Sequence, residues 1–306
     1  MRLATISVDG TTASAAILSD GRILNLALAA QTLPDDKGLR DATLESIIAL
    51  GPDTHAAVRK LVEAAEAGQH DAAIAPSSAV LLAPIPRPRK NVFCVGRNYA
   101  EHIAEGDRAQ KQNVGVTEHP VFFTKPPTTI VPPNGDVLLF PSVSQAVDYE
   151  VELAVIIGKP GRNIAAANAY DHIFGYTILN DISARDVQRR HGGQNFKGKG
   201  LDGSCPVGPW IVTADEIPDP HALSIGLTVN GEQRQDGTTA DMIFDIPTLI
   251  ESLSAGMTLE AGDILATGTP SGVGYAMEPP QFLKHGDTVV CDISEIGTLS
   301  NTVRAV

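Results

Sequence analysis

Two carboxylates stand two residues apart in the otherwise apolar segment 149–157. Glu150 and Glu152 share one face of the predicted β-strand, because successive side chains of a strand point to opposite faces. The other face, which should pack on a core, carries the apolar residues Val151, Leu153, Val155 and Ile157. Burying two unpaired like charges costs on the order of several kcal/mol. A divalent cation, which prefers carboxylate oxygens as ligands, removes that cost. The pattern therefore indicates a metal site or, as the simpler alternative, a strand with one solvated acidic face.

A third candidate ligand ends the next apolar segment. The run that begins at Tyr176 reads as a strand and ends at Asp181, where a side chain can point into a site. Three carboxylates with positions left for water and substrate are typical of Mg²⁺ or Mn²⁺. Ser183, followed three residues later by Asp186, resembles a capping box and predicts that a helix begins there. An ordinary turn at Asp181 is the alternative interpretation.

A histidine and a glutamate three residues apart could form a catalytic pair. His102 and Glu105 would lie on one face of a short helix, within hydrogen-bonding reach. Asn98 can cap that helix and Gly106 can end it. A carboxylate that orients an imidazole prepares it to take a proton near neutral pH. The polar residues 107–118 that follow resemble a mobile lid. A solvated surface pair is the alternative.

A lysine in a glycine-rich segment is the last chemical candidate. Lys199 could reach inward and stabilise a developing enolate or oxyanion. Lys197 stands only two residues earlier, so the residue types alone leave the choice between the two open. A flexible, exposed lysine is the alternative for both.

The composition limits the partners of the chain. It has 306 residues, 43% of them hydrophobic and 19% charged, which is ordinary for a soluble globular protein. A formal net charge of −13 argues against nucleic acid and anionic membranes as partners, and it means that an anionic substrate needs local positive charge. The three cysteines are far apart, and we find neither a signal peptide nor a membrane-spanning run. We therefore expect a cytoplasmic protein.

The elements that must position these residues fall into two predicted domains. Residues 1–85 should form a small α/β domain, with hairpin turns at Asp9-Gly10 and Asp20-Gly21 followed by two helices. A proline-rich connector follows, and residues 91–306 read as many short strands separated by turns. Helices are expected near 99–105, 165–172, 183–190 and 246–255. The predicted class is α+β, mostly β, with a rolled sheet in the second domain.

Five ordered motifs closely resemble the fumarylacetoacetate hydrolase family, in its bacterial acylpyruvase and fumarylpyruvate hydrolase type. They cover the chain from about residue 91 to its end and read GRNYxxHxxE, DYExE, NDxSARDxQ, KxxxxxCPxGPW and GDILATGTPSGVG. The resemblance implies a mixed β-roll catalytic domain, a homodimer and one Mg²⁺ or Mn²⁺, with Ca²⁺ in some members. The segment ahead of this region looks like the small N-terminal domain of bacterial members.

The resemblance also assigns roles to residues of this chain. The metal ligands would be Glu150, Glu152 and Asp181. The catalytic residues would be His102, Glu105 and Lys199. The resemblance selects Lys199 over Lys197, because the lysine of the similar mitochondrial acylpyruvase also stands six residues before the cysteine that matches Cys205. The substrate-binding residues would be Arg97, Gln188 and Thr269.

The expected substrate is a small 2-oxo acid. We expect a metal-dependent hydrolase that cleaves a carbon–carbon bond of an acylpyruvate or fumarylpyruvate to pyruvate and a carboxylic acid, in the catabolism of aromatic compounds or 2-oxo acids. Oxaloacetate decarboxylation needs no further residue beside the metal, isomerisation of a hydroxymuconate-type dienoate needs the metal and proton transfer but no attacking water, and both remain alternatives. A non-catalytic metal-binding scaffold is the last alternative.

Overall fold

The computed structural model describes residues 1–36 and 38–306. Its strands are β1 (Arg2–Val8), β2 (Thr11–Ile17), β3 (Ile23–Asn25), β4 (Val80–Leu82), β5 (Val92–Gly96), β6 (Val121–Lys125), β7 (Ile130–Val131), β8 (Asp136–Leu139), β9 (Val147–Asp148), β10 (Val151–Ile157), β11 (Ile173–Asn180), β12 (Ser183–Ala184), β13 (Cys205–Thr213), β14 (Ser224–Val229), β15 (Glu232–Thr238), β16 (Ile264–Ala266), β17 (Thr288–Ile293) and β18 (Gly297–Ala305). Strands outnumber helices, so the predicted mostly-β, α+β class is confirmed.

The helices are short except for two. They are α1 (Leu26–Ala29), α2 (Leu44–Leu50), α3 (Pro52–Glu66), α4 (Ala100–Gln110), α5 (Arg185–Arg190), α6 (Asn195–Lys199) and α7 (Ile246–Ser254). Single 3₁₀ segments cover Ala30–Thr32, Leu39–Asp41, Asp71–Ala73, Pro127–Thr129, Ala166–His172, Ala214–Glu216, Thr239–Asp241 and Gly274–Ala276. Among the described residues, no helix has the length and apolar character that crossing a membrane requires.

The largest sheet places the two predicted acidic strands side by side. Its order is β3-β2-β1-β13-β11-β10-β16-β5-β6, with β4 added on β1 and β7 on β13. β10 and β11 are antiparallel neighbours, and Val151 pairs with Asn180. This register brings the start of β10 to the end of β11, where the predicted ligands lie.

Both faces of this sheet are covered. One face packs on α7 and on a five-stranded sheet of order β15-β14-β17-β18-β8, and it includes the predicted core residues Val151, Leu153, Val155 and Ile157. The other face packs on the N-terminal helices through residues such as Ala154 and Ile156. Every residue of β10 is buried, so the solvated acidic face that the sequence left open is wrong.

The first 85 residues join the same sheet. β1 and β2 form the expected hairpin, with positive φ at Asp9 and Gly10 as its tight turn requires. α3 buries Thr54, Val58, Leu61 and Ala65, the spacing of an amphipathic helix. β1 pairs with β13 across the predicted boundary. The division into domains 1–85 and 91–306 stays a prediction.

Candidate active site

Three buried carboxylates meet at the point where β10 begins and β11 ends. Glu150 precedes β10, Glu152 lies within it, and Asp181 follows β11 directly. The backbone N–H of Asp181 donates to the carbonyl of Glu150 at 2.8 Å, which fixes the two strand ends together. One oxygen of each side chain lies within 4.8 Å of the others. The three residues are 4%, 1% and 0% exposed, so bulk water solvates their charges poorly.

Three buried cations surround these carboxylates. The ammonium of Lys199 donates to Glu150 Oε2 at 2.6 Å and to Asp181 Oδ2 at 2.5 Å. Arg185 donates to Glu150 Oε1, and through both Nε and Nη2 to Asp148 Oδ2. Lys125 donates to Asp181 Oδ1 at 2.8 Å. Lys199 is therefore bound to two of the three predicted metal ligands, whereas Lys197 is exposed.

Counting charges shows which carboxylate lacks a partner. Among the described residues, four buried carboxylates face three buried cations, and Glu152 is the carboxylate without a cation in contact: the one hydrogen bond that it accepts there comes from the backbone N–H of Gly268, at 2.7 Å. Burial, followed by the neighbouring Asp181 and Glu150, raises the pKa of Glu152 well above its ordinary value. Burial also opposes ionisation of Glu150, but Lys199 and Arg185 outweigh it and hold its pKa below the usual range.

This imbalance fits a divalent cation. The donor set is all oxygen, which hard cations such as Mg²⁺ and Mn²⁺ prefer. An added positive charge would offset the unpaired Glu152. The residues that would hold the ion are Glu150, Glu152 and Asp181, as the sequence predicts.

The predicted catalytic pair is formed on α4. His102 Nδ1 lies 2.9 Å from Glu105 Oε1, and Glu105 Oε2 accepts the backbone N–H of Gly272 at 2.9 Å. With the carboxylate as acceptor, Nδ1 carries the proton and Nε2 is left to exchange one. His102 lines the cavity described below, with only 13% of its side chain exposed. The alternative of a solvated surface pair is therefore wrong.

The ends of α4 differ from the prediction. Asn98 does not cap the helix; it is buried and binds the backbone of Phe244 and Thr267 instead. The helix also continues through Gly106 to Gln110. Gly106 lies against Tyr275, whose hydroxyl would be 2.5 Å from an added Cβ. Close packing, not helix termination, explains that glycine.

The start of α5 is also different. Ser183 pairs with Asp148 in the β9–β12 ladder, and the helix begins only at Arg185. Asp186 accepts hydrogen bonds from Ser144 Oγ and from the backbone of Gln145. The predicted capping box is therefore wrong, because long-range contacts hold both of its residues.

One cavity of about 390 Å³ brings most of the predicted residues together. Seven of the nine line it: Arg97, His102, Glu150, Glu152, Gln188, Lys199 and Thr269. Asp181 lies behind Lys199, and Glu105 lies behind His102. Gln188 donates to Asn195 Oδ1 at 2.7 Å, and Thr269 Oγ1 accepts from Gln235 at 2.8 Å. The set is thus assembled around a single space that is large enough for a small molecule.

Three residues of the charged centre were not predicted from the sequence. Lys125, Asp148 and Arg185 are buried in the charged centre. Asp148 also accepts the backbone N–H groups of Gly274 and Tyr275, which fixes the glycine-rich loop beside the cavity. A lysine at the end of an apolar strand was the available signal for Lys125. The arginine and aspartate both stood inside the quoted motifs without being assigned a role.

Comparisons with known proteins find similar sequences and a similar fold. The family model for the C-terminal region of fumarylacetoacetate (FAA) hydrolase matches residues 91–304. The chain is 46% identical over 291 residues to the oxaloacetate tautomerase YisK of Bacillus subtilis, covering 94% of each chain. It is 48% identical over 228 residues to the human mitochondrial oxaloacetate tautomerase FAHD2A, covering 74% of this chain and 70% of the relative. The solved structure of a fumarylacetoacetate hydrolase from Exiguobacterium antarcticum is 39% identical, covers 100% of both chains and has a TM-score of 0.81.

Proposed function

The chain belongs to the fumarylacetoacetate hydrolase family, and from this premise we propose that it is a metal-dependent keto–enol tautomerase of oxaloacetate. The observation that carries the proposal is its likeness, over nearly the whole chain, to a relative named for that activity. Tautomerisation therefore replaces carbon–carbon hydrolysis, which the sequence motifs alone favoured, as the first candidate. A homodimer and a cytoplasmic location remain predictions.

The reaction moves one proton and needs no attacking water. Ketonisation of enol-oxaloacetate removes the proton from the C2 hydroxyl and adds one to C3. A divalent cation held by the three carboxylates would supply Lewis-acid stabilisation of negative charge at the C2 oxygen. The protein must then provide a group that exchanges a proton and a fixed positive charge near the developing enolate.

His102 and Lys199 fit these two roles. His102 can deliver or accept the proton through Nε2, since Glu105 holds Nδ1. Burial would lower the pKa of Lys199, but Asp181 and Glu150 outweigh it and raise the pKa above its ordinary value. The side chain therefore stays an ammonium and acts as a fixed cation, not as a base.

Carbon–carbon hydrolysis is the second candidate. The same His102–Glu105 pair could activate a water, and the similar Exiguobacterium structure carries the name of a hydrolase. Hydrolysis requires that water as a reactant, whereas tautomerisation does not. The two functions are therefore separated by their products and not by the residues of the site.

The test is an assay of the ketonisation of freshly dissolved enol-oxaloacetate by the full chain with Mn²⁺. The decrease of the ultraviolet absorbance of the enol measures the rate. We expect His102→Gln to lower kcat by roughly 10²- to 10⁴-fold, the usual contribution of a general acid–base group. His119→Gln is the matched control, because His119 is 84% exposed and lies outside the cavity lining.

Product analysis separates the alternatives. Ketonisation no faster than in buffer with Mn²⁺ would contradict the proposal. If the protein converts acetylpyruvate to pyruvate and acetate faster than it ketonises enol-oxaloacetate, the hydrolase is established instead. Pyruvate and CO₂ from oxaloacetate, formed at a rate that depends on His102, would establish a decarboxylase.

A further inference from the structure

The cavity must attract an anion although the chain as a whole is strongly acidic. With a net charge of −13, the protein repels a dicarboxylate at long range. Positive charge must therefore come from the cavity lining itself. Its lysine and arginine side chains are Arg97, Arg185, Arg189 and Lys199.

Three of these four cations are already neutralised by protein carboxylates. Lys199 is bound to Glu150 and Asp181, as described above. Arg185 is bound to Asp148 and Glu150. Arg97 Nη2 donates to Asp107 Oδ1 at 3.0 Å and to the carbonyl of Gly115. Each of these three cations therefore already has a carboxylate partner before a substrate binds.

Arg189 is different. Within the described part of the chain, its side chain forms no ion pair and donates no hydrogen bond, and the residue is exposed to solvent. It lies on α5 four residues after Arg185, which places both arginines on one face of the helix, and Gln188 on the same helix also lines the cavity. The two carboxylates that line the cavity, Glu150 and Glu152, are buried, whereas Arg189 lines the same cavity and is exposed to solvent.

The neighbouring arginine shows that this placement is specific. Arg190 is also exposed, but it lies off the cavity-lining face and donates to the carbonyl of Val143 at 2.9 Å. It carries the same charge one residue away without reaching the cavity. The two residues therefore form a matched pair for experiment.

We propose that Arg189 is a specificity-determining residue that binds the distal carboxylate of a dicarboxylic 2-oxo acid. The inference rests on the proposed function in taking this cavity as the substrate site. The end of the substrate that reacts is held at the buried carboxylate centre, and a carboxylate at its other end meets the free guanidinium, which can bind it through two parallel N–H groups. Substrates with a neutral distal end gain nothing from Arg189.

Binding of unreactive acids tests this directly. Malate and lactate are both 2-hydroxy acids, and only malate has a distal carboxylate. We titrate each into the full chain with Mn²⁺ by calorimetry. Arg189→Met should weaken malate binding by roughly 10- to 100-fold, the range expected for hydrogen bonds to a charged group. It should leave lactate binding within about twofold of the wild type.

Two controls complete the experiment. Arg190→Met should leave both affinities within about twofold of the wild type, and Arg189→Lys should recover part of the malate affinity, because it keeps the charge and loses the two-pronged geometry. Equal weakening of malate and lactate, or equal effects of the two Met variants, would overturn the inference.

Kinetics distinguish this inference from the proposed function. With enol-oxaloacetate, Arg189→Met should raise KM far more than it lowers kcat. If the wild type shows no tautomerase activity but malate binding still depends on Arg189, the proposed function fails and the inference stands. If tautomerase activity is present and neither KM nor malate binding depends on Arg189, only the inference fails.

Discussion

Lys199 and Asp181 are connected twice. Their side chains meet directly, with Nζ 2.5 Å from Oδ2. They are also joined through Lys125, whose ammonium donates to Asp181 Oδ1 at 2.8 Å and to the backbone carbonyl of Lys199 at 2.5 Å. Lys125 is completely buried. A second lysine that cannot touch solvent thus fixes the distance between the predicted catalytic lysine and a predicted metal ligand.

Replacing Lys125 by methionine should destabilise the protein strongly. The third N–H of its ammonium donates to the carbonyl of Ile182. The substitution therefore removes the buried donor of one carboxylate and two carbonyls. We expect the free energy of unfolding to fall by about 3–5 kcal/mol, as for other broken buried ion pairs. Urea unfolding measures this.

The matched control for this prediction is Lys197→Met. Lys197 lies on the same short helix as Lys199 but is exposed, so its loss should change stability by less than about 0.5 kcal/mol. Similar unfolding curves for the two variants would show that Lys125 does not hold the site together.

Lys125 also illustrates what the sequence could not reveal. The alternation around Glu150 and Glu152 is local, so it predicted the shared face correctly. Lys125 and Asp181 are 56 residues apart, and Arg185 and Asp148 are 37 apart. Such partners come into contact through the pairing and register of strands that are far apart in the sequence, and the spacing of neighbouring residues does not predict that pairing.

The same reason explains the errors at the helix ends. Asn98 and Ser183 both have side chains that suit a helix cap. In the fold, Asn98 binds backbone 146 and 169 residues away, and Ser183 belongs to a β-ladder. Tertiary contacts replaced the local ones. The glycine-rich loop after Thr269 was likewise recognised as a motif, but its contact with Glu105 depends on the packing of α4.

Glu152→Gln and Glu150→Gln should have opposite effects on the metal-free protein. In the part of the chain that the structure describes, no cation contacts Glu152, and burial beside Asp181 raises its pKa, so its ionised form opposes folding at neutral pH. Removing that charge should stabilise the protein by about 1–3 kcal/mol. Glu150 accepts from both Lys199 and Arg185, and its replacement should cost about 3 kcal/mol or more.

Melting temperatures with EDTA and with Mn²⁺ measure both effects. Mn²⁺ at about 100 times its Kd should stabilise the wild type by about 2.7 kcal/mol, and both variants should lose most of this gain. A Glu152→Gln protein that is less stable than the wild type in EDTA would contradict the charge imbalance. Retention of the Mn²⁺ effect in both variants would contradict the metal site.

Asp107 should hold the segment that follows α4. Its carboxylate accepts the backbone N–H groups of Val114 and Gly115 and the guanidinium of Arg97. The N–H of Gly115, and then Arg97, outweigh burial and hold the pKa of Asp107 below its ordinary value. The folded-state pKa is depressed, so the contribution of these contacts is present above about pH 3.8 and is lost as the pH falls through the lower folded value.

Asp107→Asn should therefore loosen this segment at neutral pH. We expect faster hydrogen exchange at the amides of Val114 and Gly115, measured by mass spectrometry on the peptide that contains them. Asp136→Asn is the control, since Asp136 forms an exposed ion pair with Arg304 far along the chain. Unchanged exchange in the Asp107 variant would mean that other contacts hold the segment.

Gly272→Ala should lower activity by displacing Glu105, the partner of His102 in the predicted catalytic pair. Gly272 has φ +106°, and an added Cβ would lie 2.0 Å from the carbonyl oxygen of Arg234. The loop must therefore move, and with it the N–H that Gly272 donates to Glu105. Because misplacing a catalytic group by about 1 Å can cost on the order of 10²-fold in rate, we expect kcat for enol-oxaloacetate to fall by about that factor.

Gly231→Ala isolates the cost of backbone strain. The φ of Gly231 is +81° and an added Cβ meets nothing within 4 Å, so the free energy of unfolding should drop by about 1–2 kcal/mol while kcat stays unchanged. Equal kcat values for the two variants would mean that Glu105 does not need this N–H to orient His102.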